Sequence, residues 1–382
     1  MRSPMFYKPK ISHRILWAVI ITFIALALIF GAVFLARWYF GNKQEVQVSE
    51  NPSVTPLSFE LEPGIHYENT VSNSALFLYS AENTKIVNTN GDLIEEISLK
   101  MSHPTTSVKG DYTLFYDMGG RNILVFNKTK QVSTFSLEES IVLASVNEHG
   151  YAVIVTKGTQ HKCSVSVYTP DGEEVFKWNS GNLSVVGADI ANNNKDITVS
   201  AINTDEGNVK THIIMFNIAK EKPFTNDLYD KEMYSIIRYS SGYVYCIGSN
   251  KTRIYNSYGK SIGEIPYEDR ELLQYALADD LLILAFSGSS DSPGATVEIK
   301  SYNHNGNETG SFSCSQSFEF LSVKGNTIVL NNGRTISVLD SHCQEKRQLN
   351  LGLDLLDFDF FGNQNKGVGI TAAGAVLIQL NS

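Results

Sequence analysis

The sequence predicts an all-β protein, a β-propeller of eight blades preceded by one transmembrane helix. Residues 15–36 contain no charged side chain. From residue 57 onward no helical pattern of useful length occurs, and short runs rich in Val, Ile, Tyr and Phe alternate with turns of Gly, Asn, Asp and Ser. The turns recur every 37–47 residues, which is the length of a four-stranded propeller blade.

The segment from Ile15 to Ala36 is long enough to cross a membrane. Its 22 residues would form a helix of about 33 Å, against a hydrocarbon core of roughly 30 Å. Arg14 precedes it, and the charged and aromatic run 37–39 follows it as an interfacial anchor. A cleaved signal peptide is the alternative, but its apolar core is usually about 7–15 residues. The segment therefore favours a retained anchor.

The charges around this segment predict its orientation. Four basic residues precede it within the first 14 positions, and two follow it closely. The positive-inside rule then keeps the N-terminus in the cytoplasm and exports the C-terminal part. The predicted organisation is a cytoplasmic tail (1–14), a transmembrane helix (15–36), a juxtamembrane linker (37–56) and an extracytoplasmic propeller (57–382). The predicted location is the cell membrane, in a single pass.

Composition excludes several classes of partner. The whole chain carries a formal charge of −9, and residues 1–43 hold six basic side chains without an acid, so the remainder carries −15. Such a body repels nucleic acid. Four cysteines in this length are too few for a disulfide scaffold, and no cofactor motif is found. The predicted partners are the membrane, through the single helix, and a protein or ligand of the cell envelope.

Seven tight turns divide the exported part into units. Their predicted centres are residues 91, 129, 172, 219, 259, 306 and 343. An eighth unit, 355–380, ends without an outer strand, and residues 57–61 at the other end could supply that strand and close the ring. Seven blades, or a pair of β-sandwiches, remain the alternatives at this stage.

One unit, YTPDGEEVFKW (168–178), runs strand, turn and strand and ends in Trp178. It is similar to the repeats of quinoprotein-like propellers, and the pattern over residues 57–382 resembles membrane-anchored propellers of Gram-positive bacteria grouped in a family of unknown function. The Gly-His and Trp-Asp dipeptides of WD40-like propellers are absent. Quinoprotein dehydrogenases usually carry adjacent cysteines, which this chain lacks, so Trp178 is expected to pack between blades.

No motif identifies a reaction, and we expect no enzymatic activity. Asp357 and Asp359 fall on the predicted innermost strand of the last unit and face the same side, so they are weak candidates for holding a cation at the channel mouth. A propeller enzyme with a channel site, whether quinoprotein, hydrolase or lyase, is the first alternative. A sensor domain that works with a membrane partner is the second.

The sequence favours a binding or scaffolding module whose recognition surface lies on one face of the ring. Long connections gather where strands B and C join and where blades are linked: residues 157–162, 203–210, 226–233, 266–272 and 287–295. Insertions on one face of a repeat array often mark the binding surface. The predicted patch consists of His161, Asp205, Tyr229, Asp230, Tyr267, Asp269 and Arg270.

Overall fold

Each blade of the structure is a meander of antiparallel strands, labelled A to D from the channel outward. The computed structural model describes residues 47–48, 53–62, 64–205, 207–220, 222–287, 297–314, 319–332 and 334–380. The chain divides into two units, Met1–Gln47 and Val48–Ser382. The second unit contains eight such sheets, which confirms the all-β propeller of eight blades. The predicted helix 15–36 lies outside the described residues.

The strands follow one another around the ring in chain order. Two short ones come first: β1 (Gln47–Val48) and β2 (Val54–Pro56). Blades 1 and 2 contain β3 (Glu68–Val71), β4 (Ala75–Tyr79), β5 (Asn83–Asn88), β6 (Leu93–Ser98), β7 (Pro104–Lys109), β8 (Tyr112–Asp117), β9 (Asn122–Asn127) and β10 (Lys130–Ser136). Blades 3 and 4 contain β11 (Ile141–Val146), β12 (Ala152–Lys157), β13 (Cys163–Tyr168), β14 (Glu174–Ser180), β15 (Ser184–Ile190), β16 (Asp196–Asp205), β17 (Asn208–Asn217) and β18 (Thr225–Asp230).

The second half of the ring repeats the arrangement. Blades 5 and 6 contain β19 (Tyr234–Ser240), β20 (Tyr243–Gly248), β21 (Lys251–Asn256), β22 (Ser261–Pro266), β23 (Leu272–Ala278), β24 (Leu281–Ser287), β25 (Val297–Tyr302) and β26 (Glu308–Cys314). Blades 7 and 8 contain β27 (Leu321–Lys324), β28 (Thr327–Asn332), β29 (Thr335–Asp340), β30 (Glu345–Asn350), β31 (Asp357–Phe360), β32 (Lys366–Thr371) and β33 (Gly374–Gln379).

Position within a blade explains the sequence pattern of each strand. The B strands are almost continuously apolar because both of their faces lie against a neighbouring blade; β4 is buried along its whole length. The D strands alternate, since only one face is covered, and β10 shows a strict exposed and half-buried alternation. This difference within one meander is what made the repeats visible in the sequence.

The tight turns between strands C and D share one local device. In blade 5 the side-chain oxygen of Asn256 accepts hydrogen bonds from the backbone N–H groups of Tyr258 and Lys260, both at 3.0 Å. Gly259 then takes a φ of +77°, which glycine adopts without a steric penalty. Blades 1, 6 and 7 repeat this pattern. The seven predicted turn centres are confirmed, because each lies between strands C and D of its blade.

Two faces of the ring follow from this meander. The turn face carries the A–B and C–D turns, such as 110–111 and 256–260. The loop face carries the B–C loops and the links between blades, such as 158–162 and 267–271.

The hydrophobic core lies between blades rather than within them. Each of the eight clusters of buried apolar residues contains residues from two adjacent blades. Between blades 3 and 4, for example, the rings of Trp178 and Phe216 lie 5.1 Å apart, as predicted for Trp178. The eighth cluster joins blade 8 to blade 1 and includes Phe361 and Leu76.

The ring is closed by a strand from the N-terminal side, but not by the predicted residues. β2 (Val54–Pro56), rather than 57–61, pairs with β33 as the outer strand of blade 8. Leu57, Phe59 and Leu61 instead pack against the core between blades 8 and 1. The backbone N–H of Ser58 donates to the carbonyl oxygen of Gly91 in blade 1. The apolar alternation of 57–61 therefore reflects packing on the neighbouring blade, not ladder pairing.

We expect Thr55→Pro to open this closure. The N–H of Gln379 donates to the carbonyl oxygen of Ser53, so the regular alternation of an antiparallel ladder makes Thr55 and Leu377 the next hydrogen-bonded pair. Proline removes that donor, and the free energy of unfolding should fall by about 1–3 kcal/mol. Guanidinium unfolding of the full chain measures the change.

The matched control is Thr55→Ala, which changes the same exposed side chain but keeps the N–H group. If both variants unfold at the same denaturant concentration, β2 does not contribute to closure.

Candidate functional site

A network of charged and phenolic groups connects blades 4 and 5 near the loop face. Arg253 contacts Glu232 at 3.5 Å and Glu264 at 2.7 Å, and Lys251 contacts the same two carboxylates at 3.0 Å each. Tyr234 donates to Glu232 at 2.5 Å. Burial by itself would raise the pKa of Glu232, but the Tyr234 hydroxyl and the two cations together lower it. These groups satisfy one another and fix the angle between the two blades.

Tyr229 of the predicted patch belongs to this network instead of the surface. It lies in β18, where alternate side chains face inward, and it packs against the core between blades 4 and 5. Its hydroxyl is hydrogen-bonded to the hydroxyl of Tyr255, and the guanidinium of Arg253 lies 4.3 Å from its ring centre. The segment 226–233, predicted to be a link, is mostly this outer strand.

Tyr267 and Arg270 are also held by the fold. The Tyr267 side chain is only 1% exposed, contrary to the surface position predicted for it. Its hydroxyl is 2.7 Å from the hydroxyl oxygen of Thr252, and its ring lies 5.2 Å from that of Phe286. Arg270 lies over the same Phe286 ring, at 4.5 Å, and pairs with Glu298. The turn of the link aims both side chains between blades 5 and 6.

Two carboxylates of the patch do point outward. Asp230 ends β18 and Asp269 lies at the tip of the link to blade 6, and both are exposed. Asp205 is the last residue of β16, where its backbone is paired with Asn208. The predicted loop 203–210 is therefore an extension of the β16–β17 hairpin. It projects from the loop face of blade 4.

His161 lies near a serine and an acid, but in the wrong order for nucleophilic catalysis. Its Nε2 is 2.6 Å from the hydroxyl oxygen of Ser164, which is itself 3.3 Å from a carboxylate oxygen of Glu139. In a catalytic triad the histidine lies between the nucleophile and the acid. Here the serine lies between them, and it is buried. These contacts order the B–C loop of blade 3.

The central channel is a cavity of 860 Å³ lined by the inner strands of all eight blades. Two carboxylates connect these strands around the rim. Asp189 accepts hydrogen bonds from the Ser145 hydroxyl at 2.5 Å and from the backbone N–H of Tyr239 at 2.7 Å, so it joins blades 3, 4 and 5. Asp359 accepts from the Ser322 hydroxyl at 2.9 Å and joins blades 7 and 8.

Asp357 and Asp359, the two residues predicted as weak candidates for holding a cation, both join neighbouring blades by hydrogen bonds. Asp357 accepts from the side-chain amide of Asn69 at 3.2 Å, across the junction of blades 8 and 1. Burial, with the nearby Asp357 carboxylate, raises the pKa of Asp359 to about 6. Among the described residues no group of three or more potential metal ligands is found.

Three cations that the sequence analysis did not single out also reach this channel. Lys109 donates to the carbonyl oxygen of Tyr239 at 3.0 Å, and Lys324 donates to the side-chain oxygen of Asn73 at 2.7 Å. Arg238 lines the same cavity. Burial lowers the pKa of Lys324, partly offset by Asp359. The sequence does contain a pattern that could have identified the two lysines: the tetrapeptide Ser-Val-Lys-Gly occurs at both 107–110 and 322–325.

A second cavity, of 270 Å³, opens on the turn face between blades 4 and 5. Met215, Val244 and Tyr239 line it together with the polar residues Asn193 and Asn256. The neighbouring Tyr258 is 87% exposed, and no described side chain covers it. Sequence reasoning missed this feature because Tyr258 occupies an ordinary turn.

With this architecture in place, similarity to known proteins can be stated. The sequence pattern of a family of unknown function, DUF5711, matches residues 62–380. The chain belongs to that family. The match covers all of blades 1 to 7 and the three C-terminal strands of blade 8, so DUF5711 corresponds to the propeller. No curated protein matches the chain.

Solved structures support the fold. The C-terminal WD40 domain of Sif2 is 10% identical and superimposes with a TM-score of 0.55, over 86% of this chain and 99% of that one. Apo AztD from Citrobacter koseri is 11% identical with a TM-score of 0.51, over 75% of this chain and 86% of that one. At this identity the likeness concerns architecture alone. Within the described residues, no helix is long and apolar enough to cross a membrane.

We expect Asp359→Asn to change how stability depends on pH. Asparagine keeps an oxygen for Ser322 and for the backbone N–H of Phe360 but cannot ionise. The folded-state pKa of Asp359 lies above the ordinary 3.8, so its contribution is complete below about pH 4 and is lost as pH rises through about 6. The variant should be more stable than the parent at neutral pH.

Guanidinium unfolding at a series of pH values measures this, and the difference between the two proteins should shrink below about pH 4. Asp269→Asn, which removes one exposed negative charge, is the control. A constant difference at every pH would show that the Asp359 carboxylate does not titrate as its burial requires.

Proposed function

We propose that this protein is a membrane-tethered, extracytoplasmic binding module of the cell envelope of a Gram-positive bacterium. The tether is the uncharged segment 15–36, whose basic N-terminal flank favours a cytoplasmic N-terminus. The propeller is the binding module. Its rigid scaffold presents loops and turns that can vary without disturbing the core.

The observation that carries this proposal is the direction in which the chain joins the ring. Val54 pairs with Ile378 and Pro56 with Val376, so β2 runs from the turn face toward the loop face. β2 therefore begins on the side of the turn face. The strand before it, β1 (Gln47–Val48), pairs with β30 at the outer edge of blade 7. A tether that joins the ring on the side where β2 begins holds the turn face toward the membrane and directs the loop face outward.

The outward face carries exposed carboxylates that suit a basic partner. Asp230 and Asp269 are joined there by Glu268 and Glu271, which are exposed in the link between blades 5 and 6. The hairpin extension of blade 4 stands beside them. A protein partner with a complementary positive surface would be steered to this acidic region. The inward residues Tyr229, Tyr267 and Arg270 hold the region in shape and do not contact the partner.

A binding role fits the channel better than catalysis does. The buried carboxylates Asp189 and Asp359 join neighbouring blades by hydrogen bonds, and Asp357 does the same. The His161 contact has the wrong order for a triad. These groups are used to maintain the ring, and no cofactor is required for the proposed role.

Orientation is tested by labelling single introduced cysteines in intact cells with a membrane-impermeant maleimide. The four native cysteines are buried, which keeps background labelling low. Cysteines replacing Asp230 and Asp269 on the loop face should react several-fold faster than one replacing Asn90 on the turn face. After detergent solubilisation the three should react alike. The reverse order would show that the ring is inverted, and complete protection in intact cells would refute export.

Partner binding is tested by placing a photo-crosslinking amino acid at the same positions of the full chain. We expect a discrete crosslinked product from position 269 that is lost when Asp230 is changed to Lys, because the acidic surface is then interrupted. Position 90 should give no such product. Identical products from 269 and 90, unaffected by Asp230→Lys, would exclude the loop face as the recognition surface.

A further inference from the structure

One corner of the turn face, at blades 4 and 5, differs from the rest of the chain in charge and apolar exposure. Three turns meet there. Ile218 donates its backbone N–H to the carbonyl oxygen of Lys195 at 2.8 Å, which joins the A–B and C–D turns of blade 4. The Thr225 hydroxyl donates to the carbonyl oxygen of Gly259 at 3.4 Å, which joins them to the C–D turn of blade 5.

We call this region the basic corner. It consists of Lys195, Lys220, Lys222, Phe224, Tyr258 and Lys260. All six side chains are exposed. None of the four lysines forms an ion pair with an acid of the described residues. Two acids occur in the same segments: Asp196 accepts hydrogen bonds from two asparagine amides at 2.6 Å each, and Glu221 lies outside the described residues.

The charge of the basic corner opposes that of the whole chain. The chain carries a formal charge of −9, and its exported part is more acidic still. Four unpaired lysines on such a body create a local positive surface, which attracts an anionic partner within roughly a Debye length of about 8 Å. Four lysines less the two acids, Asp196 and Glu221, leave these segments with a net formal charge of +2.

Tyr258 marks the same corner as a contact surface. It occupies the third position of the C–D turn of blade 5, and the equivalent residues of the related turns are Asn90, Asp171, Asn305 and His342. Among these five turns, only that of blade 5 places a phenolic ring at this projecting position. The turn is held by Asn256 and packs on blade 4, where a Cβ atom on Gly259 would lie 3.2 Å from the ring of Phe224. The exposed ring is thus presented on a rigid support.

Lysines interspersed with exposed aromatic rings have the composition of a surface that lies on anionic lipid. Each lysine near such a membrane is attracted by the surface potential, and tyrosine and phenylalanine enter the headgroup region. We propose that the basic corner docks on the anionic lipid surface of the same membrane that holds the tether. This inference rests on the proposed function, because the tether brings that surface within reach.

Position in the ring makes this docking useful. The described strands nearest the proposed tether are β1 on blade 7 and β2 on blade 8, and blade 4 lies directly opposite blade 8 in an eight-bladed ring. The basic corner is on the turn face, the side on which β2 begins. A tether on one side alone leaves the ring free to tilt, whereas a second contact across the ring holds the turn face flat on the membrane. The acidic loop face is then held outward, away from anionic lipid.

The test uses the full chain reconstituted in lipid nanodiscs, with a fluorophore on a cysteine introduced at Ser257, beside Tyr258. Nitroxide-labelled lipid headgroups quench the dye only when the basic corner is close to the bilayer. We expect several-fold stronger quenching in nanodiscs that contain phosphatidylglycerol than in phosphatidylcholine alone, and loss of the difference at high salt. A dye at Asp269 on the loop face should remain unquenched in both.

The decisive variant replaces Lys195, Lys220, Lys222 and Lys260 with Gln and should remove the phosphatidylglycerol-dependent quenching. Its matched control replaces four exposed lysines of the loop face, with the same change in net charge: Lys100, Lys157, Lys162 and Lys231. That control should keep the quenching. Both variants should unfold at guanidinium concentrations near that of the parent, which shows that they are folded. Tyr258→Ser should weaken quenching without abolishing it.

Failures of the two proposals are distinguishable by alkaline carbonate extraction. A chain that carbonate removes from the membrane lacks the tether and overturns both proposals. A chain that resists extraction, with equal quenching in the two kinds of nanodisc or unchanged quenching in the four-lysine variant, overturns docking alone. Slow maleimide labelling of a cysteine at position 257 in intact cells, together with no quenching at that position in nanodiscs, would assign the basic corner to an acidic protein partner. That result would also overturn docking on lipid.

Discussion

The whole architecture depends on burial of apolar surface between blades. No blade has a core of its own, because each four-stranded sheet covers its apolar faces only with the two blades beside it. Burial at about 25 cal/mol per Å² is thus available only when neighbours are present. Every junction must be made, including the one between blades 8 and 1, where Phe361 meets Leu76. β2 from the opposite end of the described chain secures that last junction.

Polar groups at the junctions set geometry rather than supply most of the stability. Asp189 and Asp359 join inner strands across the channel rim, and the Glu232–Arg253 network does so farther out between blades 4 and 5. A buried carboxylate is costly unless hydrogen bonds compensate it. Such groups therefore stabilise one spacing and one angle between blades and disfavour others.

The two faces of the ring differ in their exposed side chains and have different proposed roles. The direction of β2 gives the faces different surroundings in the proposed arrangement, with the turn face toward the membrane and the loop face outward. Exposed acids such as Asp230 and Asp269 occur on the loop face, whereas the basic corner around Tyr258 occurs on the turn face. The basic corner agrees with that arrangement, because anionic lipid attracts its lysines.

The sequence by itself determined the meander and its period, because turn chemistry and strand burial are local: Gly259 marks a turn, and buried β4 is continuously apolar. Only the tertiary structure decided which polar residues are free, because a link or an alternating strand can aim a side chain outward or into the next junction. Tyr267 turned inward and Asp269, two residues later, stayed exposed. The convergence of Lys195, Phe224 and Tyr258 likewise depends on how blades 4 and 5 pack, which no local pattern contains.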